Sequence, residues 1–507
     1  MTAVHSAPPK KKEKKPAVTE TRGEKEATSV PEKKDIVPAA LPNEAKPTAV
    51  SEIPQPAIAT LVPPAETDEL PKKHYLRGGL IATNTYYMDP YINPGLFSGF
   101  YRPFGKYTYD EKWEFNARGL MNVKHYLQPF DSAQGKPSSI KQTNVVGSLE
   151  ILTAETKFGA HLVTVGRGFY TIEQGILFAN FADGAAYNGK FWFGQIRGFA
   201  AFSGDYGTAV CSLNVTGCNG DPGPFVNTPN LAPDSGIQNS GRRLFFAAEY
   251  YTPEYWGGQL FAYTLISRDL IKEDSAMAKY AYHPWYGGIG ARGYVLNSAY
   301  RYRADFIYQG GSTYNQVLNG VSEQTNIQAM AALANFSYSL PVLKTIDPQL
   351  TADFAIGTGD TDSTRVTNGS QSNTSGNYTA FQNFGSFSGG LALKPRLANL
   401  QVYRLGTYFR PFKKYYGWRN LSVQLKYSYY RKSVATGGIS DSAATEAASD
   451  IGHAGDLAFV FNPMADLQFF WGFGVFKPGS AYPVISYDGT DGQAWRYAHL
   501  ISLTLIF

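Results

Sequence analysis

Cysteine is almost missing: Cys211 and Cys218 are the two in 507 residues. With no second pair and no neighbouring histidine, they argue against a metal framework. They flank a six-residue segment in a Gly/Asn/Pro-rich stretch, and in an oxidising compartment such a pair is expected to close a small loop as a disulfide. Long apolar runs are also missing. Nothing reaches the roughly 18 residues a membrane-crossing helix needs, and the mean hydropathy is −0.27. Charge is sparse at 17%, and a net +5 makes no case for nucleic acid. The seven histidines (His5, His74, His125, His161, His283, His453 and His499) are scattered and none forms an HExxH pair. No CxxCH is present to hold haem, and the GxG pieces do not precede helices. These absences predict a protein that is not an enzyme and takes no cofactor. The start, MTAVHSAPPKKKEKKPAV, carries charge but no apolar signal core. For an exported protein the sequence is then expected to begin after a cleavage site, or with a replaced start.

Aromatic residues and glycine are abundant: 35 Tyr, 32 Phe and 51 Gly. That composition suits strands and turns better than helices. Residues 1–73 are a different material. They hold 12 of the 30 prolines and no Phe, Tyr or Trp, with 12 Lys and Arg against 11 Asp and Glu. Such a segment buries too little apolar surface to offset its ordering entropy, so a disordered Pro/Lys/Glu-rich tail is predicted.

From His74 the pattern is alternating. Tyr497, His499, Ile501, Leu503, Leu505 and Phe507 share one face of the last strand, aromatic at both ends and aliphatic between. A strand crossing a bilayer in a closed barrel needs that face toward lipid. Tyr109–Leu127 reads as one long strand, with Trp113, Phe115 and Met121 opposite Glu114, Asn116 and Arg118. Gln142–Thr156 sets Val145, Leu149 and Ile151 against Asn144, Ser148 and Glu150, and Ala186–Phe202 reads as a further strand. Tyr300–Tyr308 and Leu421–Tyr429 alternate in the same way. About sixteen strands are clear, with ambiguous stretches at Met277–Trp285 and Phe384–Lys394. Bacterial barrels have even strand numbers. The prediction is an all-β transmembrane antiparallel β-barrel over residues 74–507, of 18 strands with 16 as the alternative. Both chain ends then lie on the periplasmic side, with the tail of residues 1–73 in the periplasm. Thr208–Ser240, Gly357–Gly385 and Lys477–Gln493 become outer loops.

Three stretches resemble a known family. VGRGFYTIEQGILF from Val165 is followed by ADGA from Ala182. GTGDTDS from Gly357 leads to TAFQNFG from Thr379, and VFKPGSAY runs from Val475. Together they are similar to barrels of the alginate-export porin family, in layout over residues 74–507. The Pro/Lys tail departs from that pattern. The resemblance implies an outer-membrane barrel with a polar, arginine-rich pore for an anionic solute or polymer.

By alternation, Lys112, Arg118, Lys124, Arg243, Arg301, Arg303, Asp305, Arg404 and Lys426 are predicted to line the pore, with Glu114, Glu150, Glu249, Asp456 and Asp466 also facing inward. Arginine lining favours anions, but such residues also pair across strands. Asp360 and Asp362 are a candidate calcium pair; polar turn chemistry is the competing account. The expected function is an outer-membrane porin that lets small polar solutes, anions among them, diffuse through a water-filled lumen. The alternatives are an exporter of an anionic, alginate-type polysaccharide, a structural or adhesive barrel tethered to the cell wall by its tail, and a secreted all-β binding protein. Expected partners are outer-membrane lipid, the solute or polymer, and peptidoglycan or a periplasmic protein at residues 1–73.

Overall fold

The computed structural model describes residues 74–89, 93–109, 112–126, 130–131, 136–137, 142–203, 243–270, 281–295, 299–315, 323–340, 343–362, 373–385, 387–441, 443–485 and 491–507. The tail, Cys211, Cys218 and the span 204–242 lie outside them.

Eighteen strands form one closed antiparallel barrel. In chain order they begin with β1 (His74–Asp89), β2 (Asn93–Tyr109) and β3 (Trp113–Tyr126). A two-residue pair, β4 (Phe130–Asp131) and β5 (Lys136–Pro137), stands apart from the barrel. Next come β6 (Gln142–Phe158), β7 (His161–Thr171), β8 (Ala179–Phe191), β9 (Gly194–Ser203), β10 (Arg243–Tyr251) and β11 (Gly258–Asp269). They are followed by β12 (His283–Val295), β13 (Tyr300–Tyr314), β14 (Gln324–Ser339), β15 (Gln349–Gly357) and β16 (Leu400–Phe409). The last four are β17 (Leu421–Lys432), β18 (Asp450–Met464), β19 (Leu467–Pro478) and β20 (Arg496–Ile506).

Each barrel strand pairs with the next, and β20 closes on β1 from Ile81↔Ile506 to Met88↔His499. The backbones of Phe507 and Leu80 then exchange hydrogen bonds of 2.9 and 3.1 Å, which ties down the last residue. One rim carries short turns, such as 159–160, 192–193 and 465–466; the other carries the long connections 358–399 and 433–449. In outer-membrane barrels the short turns face the periplasm.

Two faces follow from the alternation. Outward side chains are large, apolar and exposed: Leu76, Leu260, Ile289, Leu405, Ile501 and Leu503 among them. Aromatics cluster on this face toward both ends of the strands, as in the stacked Trp113–Phe115 and Trp418–Phe461 pairs near the short turns. Tyr429–His453 and Phe473–His499 lie farther along.

The other face looks into the lumen, and two connections fold back into it. The 172–178 loop buries Ile172, Ile176, Leu177 and Phe178; the 358–399 loop buries Tyr378, Phe381, Phe384, Leu393 and Leu397. They pack with inward residues of the wall, including Phe245, Leu265, Tyr286, Ile307 and Val402. Toward the long-loop rim the strands are therefore apolar on both faces.

The strand reading needs four corrections. β2 is absent from the sequence reading; its Pro103, a residue disfavoured in strand interiors, sits where the β2–β3 register between Tyr101↔Met121 and Phe104↔Arg118 is interrupted. The long strand proposed from Tyr109 starts only at Trp113, after a turn. Ala186–Phe202 is two strands joined by the Trp192–Phe193 turn. Finally, β6 carries a bulge between Leu149 and Ile151. It sets Glu150 inward and buried, and makes Leu152 rather than Ile151 the next large outward residue. Of the two ambiguous stretches, the end of the first opens β12, and the second belongs to the 358–399 loop.

Candidate functional site

The lumen is built from paired charges, loops pinned to the wall, and a stack of arginines and aromatic rings. Glu150, set inward by the bulge, accepts from Arg102 Nε at 3.1 Å and forms an ion pair with Arg118, whose Nε lies 2.9 Å away. All three are largely buried, so this is a compact ionic cluster in the wall. Lys106 and Glu114 pair at 2.7 Å nearer the short-turn rim.

The 172–178 loop crosses the lumen and is held at three points. The N–H of Glu173 donates to the Glu249 carboxylate on β10 at 2.7 Å. The Glu173 carboxylate pairs with Arg303 on β13, which also pairs with Asp305 at 2.9 Å. Gln174 donates to Asn335 on β14 at 3.2 Å. The 358–399 loop packs against this first loop: the N–H groups of Phe384 and Gly385 donate to the carbonyls of Leu177 and Ile176, both at 3.0 Å. It then runs along the opposite wall, where Arg404 donates to the carbonyls of Ser388 (2.8 Å) and Gly389 (2.7 Å). Asp456 accepts from the N–H of Leu391 at 3.0 Å.

One wall carries a run of cations over rings. Arg197 (β9) and Arg292 (β12) both lie over Tyr251, at 5.9 and 5.1 Å from its centroid. Arg292 and Arg303 both lie over Phe261, at 6.0 and 5.0 Å. Arg301 lies over Tyr294 at 5.6 Å. Each such contact contributes about 0.5–2 kcal/mol and fixes the guanidinium plane. Arg197 is paired with Glu249 at 3.5 Å. The guanidinium of Arg292 donates to the neutral Gln259 Oε1, at 2.9 and 2.7 Å. Among the described residues no carboxylate lies within ion-pair distance of Arg292 or Arg301.

The residues expected to line the pore divide accordingly. Arg118, Arg301, Arg303, Asp305, Arg404 and Lys426 lie on the inner face of their strands. Lys426 stands opposite Asp456 across the β17–β18 register. Lys124 is on the same face of β3 as Arg118. Arg243 also points inward but is covered, 1% exposed, with Asp269 at 3.5 Å and Phe384 over it. Lys112 and Asp466 are outside the alternation, in turns at the short-turn rim. Arg102, Glu173, Arg197 and Arg292 escaped the sequence reading. Arg102 sits in the unread β2, Glu173 in a loop, and Arg197 in a strand run together with its neighbour. Arg292 lies in YGGIGARGY, where glycines at inward positions hide the two-residue period.

Asp360 and Asp362 form a hydrogen-bonded turn. Asp360 accepts from the N–H groups of Thr379 (2.8 Å) and Asp362 (3.2 Å); Asp362 accepts from Thr374 and from the N–H of Ser375 (2.9 Å). Burial first, then the neighbouring carboxylate, pushes Asp360 above the usual carboxylate range. For Asp362 burial is outweighed by the hydrogen bonds of Asp360, Thr374 and Ser375, which hold it below that range. This is the polar turn chemistry weighed against calcium. Among the described residues no group of three or more His, Cys, Asp or Glu is placed to hold a metal ion.

A closed antiparallel barrel with an apolar, aromatic-belted outer face, short turns on one rim and a charged lumen crossed by inward loops defines an outer-membrane β-barrel. The alginate-export family matches residues 229–485, and the chain belongs to that family. Two solved structures share the fold. OccAB2 of Acinetobacter baumannii is 11% identical, with 85% of this chain and 98% of that one covered and a TM-score of 0.51. OccK8 (OprE) of Pseudomonas aeruginosa is 12% identical, with the same coverage and TM-score. No curated protein sequence matches the chain.

Proposed function

We propose that the barrel is a passive outer-membrane channel for small polar solutes, narrowed by the 172–178 and 358–399 loops and preferring anions. The observation that carries this reading is the pair of inward arginines, Arg292 and Arg301, held over Tyr251, Phe261 and Tyr294 with no carboxylate within ion-pair distance among the described residues. Most other lumen arginines are paired: Arg102 and Arg118 with Glu150, Arg197 with Glu249, Arg303 with Glu173 and Asp305. Anion preference then rests chiefly on Arg292 and Arg301, through their field. Lys112, Lys124 and Lys426 add positive potential along the path, and Arg243 and Arg404 serve to hold the 358–399 loop. In planar bilayers under a salt gradient, the wild type should show an anion-selective reversal potential. Arg292→Ser with Arg301→Ser should move it toward cations while conductance persists. An unchanged potential would reject the assignment.

A second reading, export of an anionic polysaccharide, is supported by membership of the alginate-export family. An arginine and ring track suits carboxylated sugars, which offer charge and a flat face together. Block of the ion current by an alginate oligomer from the short-turn side would favour it. The tail of residues 1–73 joins β1 at the short-turn rim, which supports a periplasmic tether to peptidoglycan or a partner protein; pull-down of peptidoglycan by full-length protein but not by a chain begun at His74 tests this.

A further inference from the structure

The turns joining β14 to β15 and β16 to β17 are the longest described on their rim, and they are locked together. Arg410 and Lys413 both pair with Asp347 of the neighbouring turn, Lys413 at 3.4 Å. The N–H of Arg410 donates to the carbonyl of Ile346 at 2.7 Å. Residues 410–420 read RPFKKYYGWRN: four cations, four aromatics and no acid. The segment is ordered by its own backbone, with Tyr415, Trp418 and Leu421 N–H groups donating three residues back at 2.9–3.0 Å. Yet its side chains face outward: Tyr416 is 87% exposed, and Phe412, Tyr415 and Trp418 are exposed too.

Two features identify what covers them. First, the aromatic cluster runs without a break onto the lipid-facing wall. Phe412 meets Tyr415 and Trp418 edge-on at 6.2 and 6.4 Å, and Trp418 stacks on outward Phe461 of β18 at 5.0 Å. The platform therefore sits where hydrocarbon gives way to headgroups, the level that Tyr and Trp favour. Second, Lys344, Lys414 and Arg419 are exposed on the same two turns and make no ion pair among the described residues. Arg419 lies over the Tyr416 ring at 5.0 Å, its charge still open.

We propose that this platform is a binding site for the phosphate headgroup of an anionic phospholipid in the leaflet at the short-turn rim. Lys344, Lys414 and Arg419 take the headgroup charge; Tyr415 and Tyr416 lie at the glycerol level; Phe412 and Trp418 meet the upper acyl chain. Basic residues at a membrane surface each strengthen binding to anionic lipid by about fivefold. An anchored lipid here would fix the depth of β14–β17, the strands that hold the inward 358–399 loop.

Native mass spectrometry of the delipidated full-length barrel, titrated with phosphatidylglycerol or phosphatidylcholine, tests the site. The wild type should retain phosphatidylglycerol more tightly. Lys344→Gln, Lys414→Gln and Arg419→Gln together should lower it by on the order of a hundredfold, toward the phosphatidylcholine level. Phosphatidylcholine retention should not change. Should the triple variant fail to give a heat-modifiable barrel, salt replaces it: raising ionic strength should release phosphatidylglycerol but not phosphatidylcholine from the wild type. Equal retention of the two lipids by wild type, phosphatidylglycerol binding unmoved by the variant or by salt, or equally tight capture of a soluble anionic glycan would overturn the proposal.

Discussion

Single residues in this wall differ in weight according to how dry they are. Glu150 pairs with two arginines that are themselves largely out of water, and its inward place comes from the bulge in β6. Removing one partner of a buried ionic cluster leaves charge unpaired and costs about 3–5 kcal/mol. Glu150→Ala should lower stability by that order in urea unfolding from lipid vesicles. Glu114→Ala, which breaks the more exposed pair with Lys106 and a hydrogen bond from Asn116, should cost less, about 1 kcal/mol. Equal losses would contradict the difference in burial. At the short-turn rim, Asp347 behaves differently. Burial alone would raise its pKa, but the hydrogen bond and charge of Arg410, with Lys413, outweigh it and hold the carboxyl below the usual range. A depressed folded value means the pairing stabilises the fold above the ordinary aspartate range and is lost as pH falls through the folded value. Asp347 also sits at φ +50°, which Asn tolerates, so Asp347→Asn removes charge with little backbone strain. The variant should melt lower than wild type at neutral pH, and the gap should close on acidification. The pair is half exposed, so the gap will be small.

At the scale of elements, the 172–178 loop acts as a bar across the lumen, and Glu173 is its principal fastening. Glu173→Gln loses the charge that Arg303 answers, though Asp305 keeps the arginine paired and Glu249 still receives the loop N–H. The loop should therefore loosen without the wall unfolding. Single-channel records should show more frequent open-level fluctuation and a larger mean conductance, with the melting temperature near that of wild type; a silent, unchanged trace would mean the loop does not limit the path. These elements also mark where the sequence was legible. β20, β13 and β17 were read face for face, because one side met lipid and the other water, so the two-residue period was unbroken. It failed where that contrast fails. β2, whose register is interrupted at Pro103, is absent from the reading. The Trp192–Phe193 turn hid the β8–β9 boundary, since an aromatic turn at the interface looks like more strand. Phe384–Lys394 is ambiguous by pattern because its apolar residues fill the lumen rather than face lipid. The arginine and ring stack is half legible: Arg301 and Arg303 lie in a clean strand, but Arg292, the cross-strand partner of Arg303, is hidden among glycines, and Glu173 reaches Arg303 from a loop distant in sequence.

For the whole molecule, the fold has two solvents and no core of the usual kind. Its greasy side is turned out along the strands, and the buried aromatic mass inside is shared between inward wall residues such as Phe245, Tyr263 and Tyr286 and the loops that fold onto them, rather than formed with a second layer of sheet. A closed ring of strands leaves no unpaired backbone edge, which is the condition for crossing hydrocarbon without helices. It follows that neighbouring residues of one strand should answer the same substitution oppositely. Leu425 is exposed on the outer face of β17, between Trp418 near one rim and the Tyr429–His453 stack toward the other. Gln424, next to it, is on the inner face, opposite Ala458 and Tyr408. Arginine facing lipid near the bilayer midplane costs about 2–4 kcal/mol, whereas a lumen position leaves the charge hydrated. Leu425→Arg should therefore slow insertion into vesicles and lower the unfolding midpoint, while Gln424→Arg should leave both near wild type and shift the reversal potential further toward anions. If the two variants lost stability alike, or if the wild type stayed monodisperse in buffer without detergent, the outer face would have to be covered by protein rather than lipid.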